Sequence, residues 1–286
     1  MKPFFLILFL FCIVFCNAQQ DADVSLLPDG AIPFRDFKNN VILDAYIDDS
    51  IPIKAMLDIG AWGLAVPERF RKDKEDVRKY EKFRFSTGPW AKTMSATFMD
   101  TNSQFLHWYG EDCVLLGWDF FYRRVIEISY KDKYLKEWRP RDLIGLEGYD
   151  CIEFKNRNRR LLVPASVIVQ GKKIEGDYWI DTGLNGALFF THNILSDYDL
   201  DISKTKEGRA KNLDTNRTKV SLLRTDTIQI GNTILLNKDV IFSESEWFVF
   251  KKNDLYVGLL GNQFFKNFSV IFDFRENKLY LKSVEE

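Results

Sequence analysis

Two stretches of this sequence end an apolar run in an aspartate and a glycine turn. They are Ala55-Met56-Leu57-Asp58-Ile59-Gly60 and Tyr178-Trp179-Ile180-Asp181-Thr182-Gly183. A carboxylate at the end of a buried strand must be paired or hydrogen-bonded, because its removal from water is costly. Such placements occur at working sites and at structural ion pairs alike. Two carboxylates held a few ångströms apart do not both ionise readily and come to share one proton. The charged member can then take a proton from a water held between them, while the protonated member donates to a carbonyl oxygen. That is general acid–base hydrolysis of an amide without a covalent intermediate. The pair titrates with two macroscopic pKa values that belong to neither residue alone.

The elements that deliver the two aspartates are alike. Val41 to Ile47 meets a polar turn at Asp48-Asp49-Ser50, and Ile51 to Leu57 runs back to Asp58, which predicts a β-hairpin. Leu161 to Val163 and Ser166 to Val169 likewise meet a turn predicted at Gly171-Lys172-Lys173, and Ile174 to Ile180 leads to Asp181. The likeness continues downstream. Aligned without gaps, Gly60 matches Gly183, Gly63 matches Gly186, and an apolar strand follows each. Val114-Leu115-Leu116-Gly117-Trp118-Asp119-Phe120-Phe121 then matches Gly258-Leu259-Leu260-Gly261-Asn262-Gln263-Phe264-Phe265. Each is followed by an alternating strand, a charged turn and a closing Tyr-Leu-Lys, over Val125 to Lys136 and Val270 to Lys282. The chain therefore reads as a tandem duplication of one β-rich unit, with a leader over residues 1–18 and halves at 19–138 and 139–286. Short strands punctuated by Gly, Asn and Asp make the class all-β.

Between these landmarks the halves diverge. Residues 67–84 are highly charged and read as a helix or an exposed loop. The basic run at 201–219 (Lys204, Lys206, Arg209, Lys211, Arg217, Lys219) reads as a solvated loop in preference to an anion site. Asp273, in an alternating strand at the position matching Glu127, reads as structural or solvent-facing.

Composition narrows the chemistry. The 286 residues contain only two histidines, His107 and His192, with no cysteine or carboxylate at ligand spacing. This argues against a metal site and against a histidine-based triad. No cofactor is expected. The 40 basic and 41 acidic residues are interspersed and leave a net charge of −1, which gives no basis for a nucleic-acid partner. Lys2, the apolar run Phe4 to Cys16 and the ending Cys16-Asn17-Ala18 describe a secretory signal cleaved after Ala18. The run is shorter than the roughly 20 residues a membrane span needs. An exported protein, periplasmic or extracellular, is expected, and a monomer; acylation at Cys16 is the rival reading, disfavoured by the bulk of Phe15. Beyond the leader, Cys113 and Cys151 either pair, as exported cysteines do, or Cys113 is a plain core residue.

Apolar-apolar-Asp-Thr-Gly, followed after a long interval by apolar-apolar-Gly and a Phe-Phe pair, resembles the pepsin/retropepsin aspartic proteases. The second half carries the pattern in Trp179-Ile180-Asp181-Thr182-Gly183, Leu259-Leu260-Gly261 and Val270-Ile271-Phe272-Asp273. The first half carries it more loosely, in Met56-Leu57-Asp58-Ile59-Gly60-Ala61 and Leu115-Leu116-Gly117. The short, similar halves are closer to bacterial exported retropepsin-like proteins than to secreted pepsins. The resemblance implies two pseudo-two-fold-related closed β-barrel lobes with a cleft between them and a polypeptide substrate. It implies Asp58 and Asp181 as the catalytic pair, supported by Gly60, Thr182 and Gly183. By position alone, hairpins covering the cleft would fall at Phe85 to Phe98 and Arg209 to Leu222.

Two positions depart from the family pattern. Ile59 stands where the family has Thr or Ser, whose hydroxyl braces the partner loop across the axis, and Leu184 stands where Ser or Ala is usual. Three readings follow: an aspartic endopeptidase, a catalytically impaired relative that binds or inhibits as a peptide-binding module, and a duplicated β protein whose aspartates are structural corners. The separation of the two carboxylates distinguishes the third from the others.

Overall fold

The computed structural model describes residues 27–72, 80–143, 146–191, 193–203, 205–211, 217–243 and 255–284. The leader expected over residues 1–18 and the rival acylation site at Cys16 lie outside them. The described residues form three sheets. One belongs to the first half. Its strands run in the order Arg35–Phe37, Asn40–Ile47, Ile51–Asp58, Cys113–Gly117, Leu64–Pro67, Trp90–Met99, Glu81–Thr87. Pairing of Ile47 with Phe85 and of Tyr46 with Ser86 closes it into a barrel. A larger sheet of the second half repeats the plan around Lys172–Asp181 and Gly258–Gly261, with Lys206–Lys211 and Thr233–Leu236 at its ends.

The third sheet joins the halves. Val125–Ser129 and Tyr134–Glu137 come from the first half, and Phe268–Asp273 and Lys278–Ser283 from the second. The inner strands pair antiparallel, Glu127 opposite Ile271, so a pseudo-two-fold axis passes between them. Ile126, Ile128, Val270 and Phe272 are buried from this sheet in a core continuous with the first-half barrel and with the second-half sheet, for which the described residues show no closing pair. The protein is thus all-β, with two pseudo-symmetric lobes and one sheet common to both.

The predicted hairpins form, and the structure refines their turns. The first turn is Asp48-Asp49-Ser50, between the paired Ile47 and Ile51, with Asp48 and Asp49 at positive φ (49° and 62°). In the second half the turn is Gln170-Gly171 (φ 52° and 72°), one residue earlier than predicted at Gly171-Lys172-Lys173. Arg160–Val169 is one continuous strand despite Pro164. Pro164 falls between the stretches that pair with Lys155–Arg157 and with Thr227–Ile230, where that edge lacks a partner and a missing N–H costs little. The ungapped alignment slips by one residue past the glycine turns. Leu64 pairs with Leu116 and Leu188 with Leu260, and Ala187 O takes the place of Gly63 O, so the second half carries one extra residue within Asn185-Gly186.

Other expectations are revised. The hairpin Glu81–Thr87/Trp90–Met99 is a barrel wall and not a cover over the cleft. Phe83, Phe85, Trp90 and Met94 are buried in the core, and Gly88 at the tip packs on Ile32. The second guess does form a hairpin, Lys206–Lys211 with Arg217–Arg224, and thereby replaces the solvated loop expected for the basic run; its tip lies outside the described residues. Residues 67–84 contain the short 3-10 turn Glu68–Phe70 and the strand that starts at Glu81, and 73–79 lie outside the described residues. Cys113 is buried and Cys151 exposed, and both are free thiols, so the disulfide reading falls. Among the described residues no helix is long and apolar enough to cross a membrane, and no cluster of side chains could hold a metal.

Asp273 is structural, as expected, but it is not solvent-facing. Its side chain is 1% exposed. Its carboxylate accepts from Arg275 Nε and Nη2 (3.1 and 2.7 Å) and from the backbone N–H groups of Arg275 and Glu276 (2.9 and 3.1 Å). Asp273→Ala leaves this turn without its acceptor and should cost on the order of 3 kcal/mol, read from denaturant unfolding. Titration of the Asp58–Asp181 pair should be unaffected.

Candidate active site

Each aspartate ends a strand that lies parallel to the strand of the apolar-apolar-Gly motif. Asp58 is in register with Gly117 and Asp181 with Gly261. The turn beyond each aspartate is tied back to that glycine strand by matching backbone bonds. Gly117 N–H donates to Gly63 O (2.8 Å) and Trp118 N–H to Ala61 O (3.1 Å). Gly261 N–H donates to Ala187 O (3.1 Å) and Asn262 N–H to Leu184 O (2.9 Å). Two rigid loops of one design are therefore presented by the two halves.

The loops meet at the axis and set the carboxyl groups of Asp58 and Asp181 against each other. They are 9% and 8% exposed, which excludes two independent, solvated strand corners. Asp58 Oδ1 also accepts from Gly60 N–H (2.7 Å) and, across the axis, from Gly183 N–H (3.0 Å). The two glycines are not there for backbone freedom, since neither takes a positive φ. They supply donors and space: a Cβ on Gly60 would lie 2.6 Å from Asp181 Cγ, and one on Gly183 would lie 2.5 Å from Asp58 Oδ2.

The environments split the pair. Burial raises the pKa of Asp58 above the usual 3.8, but the N–H groups of Gly60 and Gly183 favour its charged form. Burial raises Asp181 well above the same value, and the neighbouring Asp58 charge raises it further. Both environments favour the shared proton on Asp181 and the charge on Asp58.

Cross-bracing between the loops is one-sided. Thr182 Oγ1 accepts from Ile59 N–H (2.8 Å) and lies 3.5 Å from Leu57 O. Ile59, 1% exposed in the main core, returns no such bond. Leu184, the other departure, packs against the outer cluster of Leu162, Trp179, Phe189, Tyr256 and Leu259.

Two hairpin turns provide interlobe contacts that the sequence did not announce. Lys38-Asn39 (φ 52° and 65°) reaches from the first half onto the second catalytic loop. There Asn185 Nδ2 donates to Lys38 O (3.0 Å), Asn39 Nδ2 donates to Asn185 Oδ1 (2.8 Å), and Asn262 Nδ2 donates to Asn39 O. Its pseudo-symmetric counterpart, Asn158-Arg159 (φ 51° and 66°), reaches the other way. Trp118 Nε1 donates to Arg159 O (3.0 Å), and the Arg159 guanidinium stands 5.2 Å from the Trp62 ring. Trp118 and Asn262 each follow a matched glycine, so a repeat in sequence becomes a reciprocal clasp. Asp119, also missed, accepts from Gly63 N–H (2.6 Å) and holds the first loop in place.

Two pseudo-symmetric β lobes on a common sheet, each sending one Asp-X-Gly turn to the axis, define the pepsin/retropepsin class of fold. A solved structure shares this fold over most of the chain. Basic 7S globulin from soybean matches with a TM-score of 0.51, over 90% of this chain and 95% of its own, at 8% identity. A retropepsin-like aspartic protease from Rickettsia conorii matches 47% of this chain and 89% of its own at 21% identity, with a TM-score of 0.34. No family model matches the sequence, and no curated protein matches it.

Proposed function

We propose that this chain is an aspartic-type endopeptidase acting on polypeptide met outside the cytoplasm. The observation that carries the reading is the buried Asp58–Asp181 contact, in which two environments split one shared proton. Asp58, anionic and anchored by two N–H donors, takes a proton from the attacking water. Asp181 gives its proton to the scissile carbonyl oxygen as the C–O bond forms. Collapse of the resulting diol breaks the C–N bond, with the proton held on Asp58 passing to the leaving nitrogen and Asp181 recovering its own. Each transfer is general acid or base work worth roughly 10²–10⁴ in rate. An unfolded protein substrate should be cleaved by the native chain, and Asp58→Asn or Asp181→Asn should remove that cleavage. Undiminished cleavage by either variant would overturn the reading.

The missing hydroxyl at Ile59 favours one alternative, a peptide-binding module without turnover. It would bind a transition-state-mimicking peptide yet release no product at any pH between 3 and 8.

A further inference from the structure

Ile59 removes one of the two hydroxyl braces, yet the loops meet with the carboxyls in contact. Something else must hold the second loop. Asn40 opens the strand Asn40–Ile47 of the first half and is 1% exposed. Its Nδ2 donates 2.9 Å across the axis to the backbone carbonyl of Thr182, the residue after Asp181. Its Oδ1 accepts from the Tyr109 hydroxyl at 2.8 Å. The two contacts fix the amide orientation, since the reverse flip would set Oδ1 against the Thr182 carbonyl oxygen. Tyr109 ends the helix Gln104–Tyr109 and packs on Phe37 and Phe105 (ring centroids 5.8 and 5.0 Å), so the chain of bonds starts from a seated aromatic ring. Burial pushes the Tyr109 hydroxyl up to about 12, which keeps it a donor at any pH where the protein would work.

We infer that Asn40, oriented by Tyr109, is a positioning residue that takes over the bracing lost at Ile59, holding the Asp181 loop against the Asp58 loop. The inference rests on the endopeptidase reading for its kinetic consequences but not for its geometric ones. It can therefore be tested in two ways.

Asn40→Asp is nearly isosteric and keeps the acceptor for Tyr109. Its ionised carboxylate has no donor for the Thr182 carbonyl, whereas its protonated form has one. With an unfolded polypeptide as substrate, kcat of N40D should fall on the order of ten- to a hundredfold near neutral pH, with KM little changed, and recover as the pH drops and the new carboxyl protonates. Adding Ile59→Thr supplies the family hydroxyl and should restore kcat in the N40D protein at neutral pH. The second readout needs no turnover: 13C NMR of aspartate-labelled protein follows the paired titration of Asp58 and Asp181. N40D should bring their two apparent pKa values together, and N40D/I59T should separate them again. If native protein does not cleave but the titrations behave so, the endopeptidase reading fails and the bracing role stands. If N40D matches the native protein in titration, or if I59T rescues neither readout in a folded N40D protein, the bracing role is overturned.

Discussion

Alanine in place of Gly183 should reduce kcat for an unfolded polypeptide substrate by a hundredfold or more, although both carboxylates remain in the chain. The added Cβ would sit 2.5 Å from Asp58 Oδ2 and 2.7 Å from Asp58 Cγ, well inside contact distance. Ordinary contact requires a displacement of about 1 Å, enough on its own to cost on the order of 10²-fold when it falls on a catalytic group. The three atoms nearest to it are in the Asp58 side chain, so the strain can be relieved by swinging that carboxylate away from Asp181. Chemistry is lost and the fold is kept. Gly60→Ala differs, because its Cβ would meet Asp181 Cα at 2.9 Å as well as the carboxyl. Rotation of a side chain cannot relieve a clash with backbone, so this variant should also lose stability, by roughly 1–3 kcal/mol as overpacked interiors do. Steady-state kinetics beside urea unfolding of the two variants separates these outcomes. Native-like kcat in G183A would show that the carboxyl contact does not govern turnover.

The same pair of turns shows how much the sequence disclosed. The repeat of apolar strand, aspartate and glycine was visible because strands and turns are local, and because each turn needs glycine for space. Matching Leu116-Gly117 to Leu260-Gly261 followed for a similar reason: those glycine strands lie parallel to the aspartate strands in both halves. The common sheet was foreshadowed by the two Tyr-Leu-Lys endings. Asn40 and Tyr109 were not legible. Their bond spans 69 residues and the Asn40–Thr182 bond 142, and neither residue type is unusual where it stands. The extra residue within Asn185-Gly186 was hidden because Ala187 and Leu188 are both apolar, so either could stand opposite Leu64. The barrel-wall role of Glu81–Thr87 and Trp90–Met99 was misjudged because position relative to Asp58 says nothing about which way a hairpin folds. Asp273 was missed as a buried acceptor because its partner, Arg275, is set by a turn and not by strand alternation.

Asp181→Asn should stabilise the protein at neutral pH while it abolishes turnover. The folded pKa of Asp181 lies well above its ordinary 3.8, because the site is buried and Asp58 stands beside it as an anion. Below pH 3.8 the carboxyl is protonated in folded and unfolded chains alike, and the stability associated with the raised pKa is fully present. As the pH climbs from there, the unfolded chain ionises while the folded one holds its proton, and that stability is lost until the folded pKa is passed. An amide has no such titration. The native and Asp181→Asn proteins should therefore melt at similar temperatures below pH 3.8 and separate progressively as pH rises, the variant being the more stable. Each pKa unit of elevation corresponds to about 1.4 kcal/mol, or roughly 3 °C in Tm for a chain of this size. Asp58→Asn should gain less, since Gly60 and Gly183 already offset the burial of that charge and would lose their anionic acceptor. Scanning calorimetry of the three proteins between pH 3 and 8 measures both differences, with titrating groups outside the pair cancelling. Parallel Tm curves for the native and Asp181→Asn proteins would mean that Asp181 ionises normally in the folded state. The proton would then not reside where a hydrolytic pair needs it. A gap that widens with pH would instead mark a site that trades stability for reactivity, as strained functional sites commonly do.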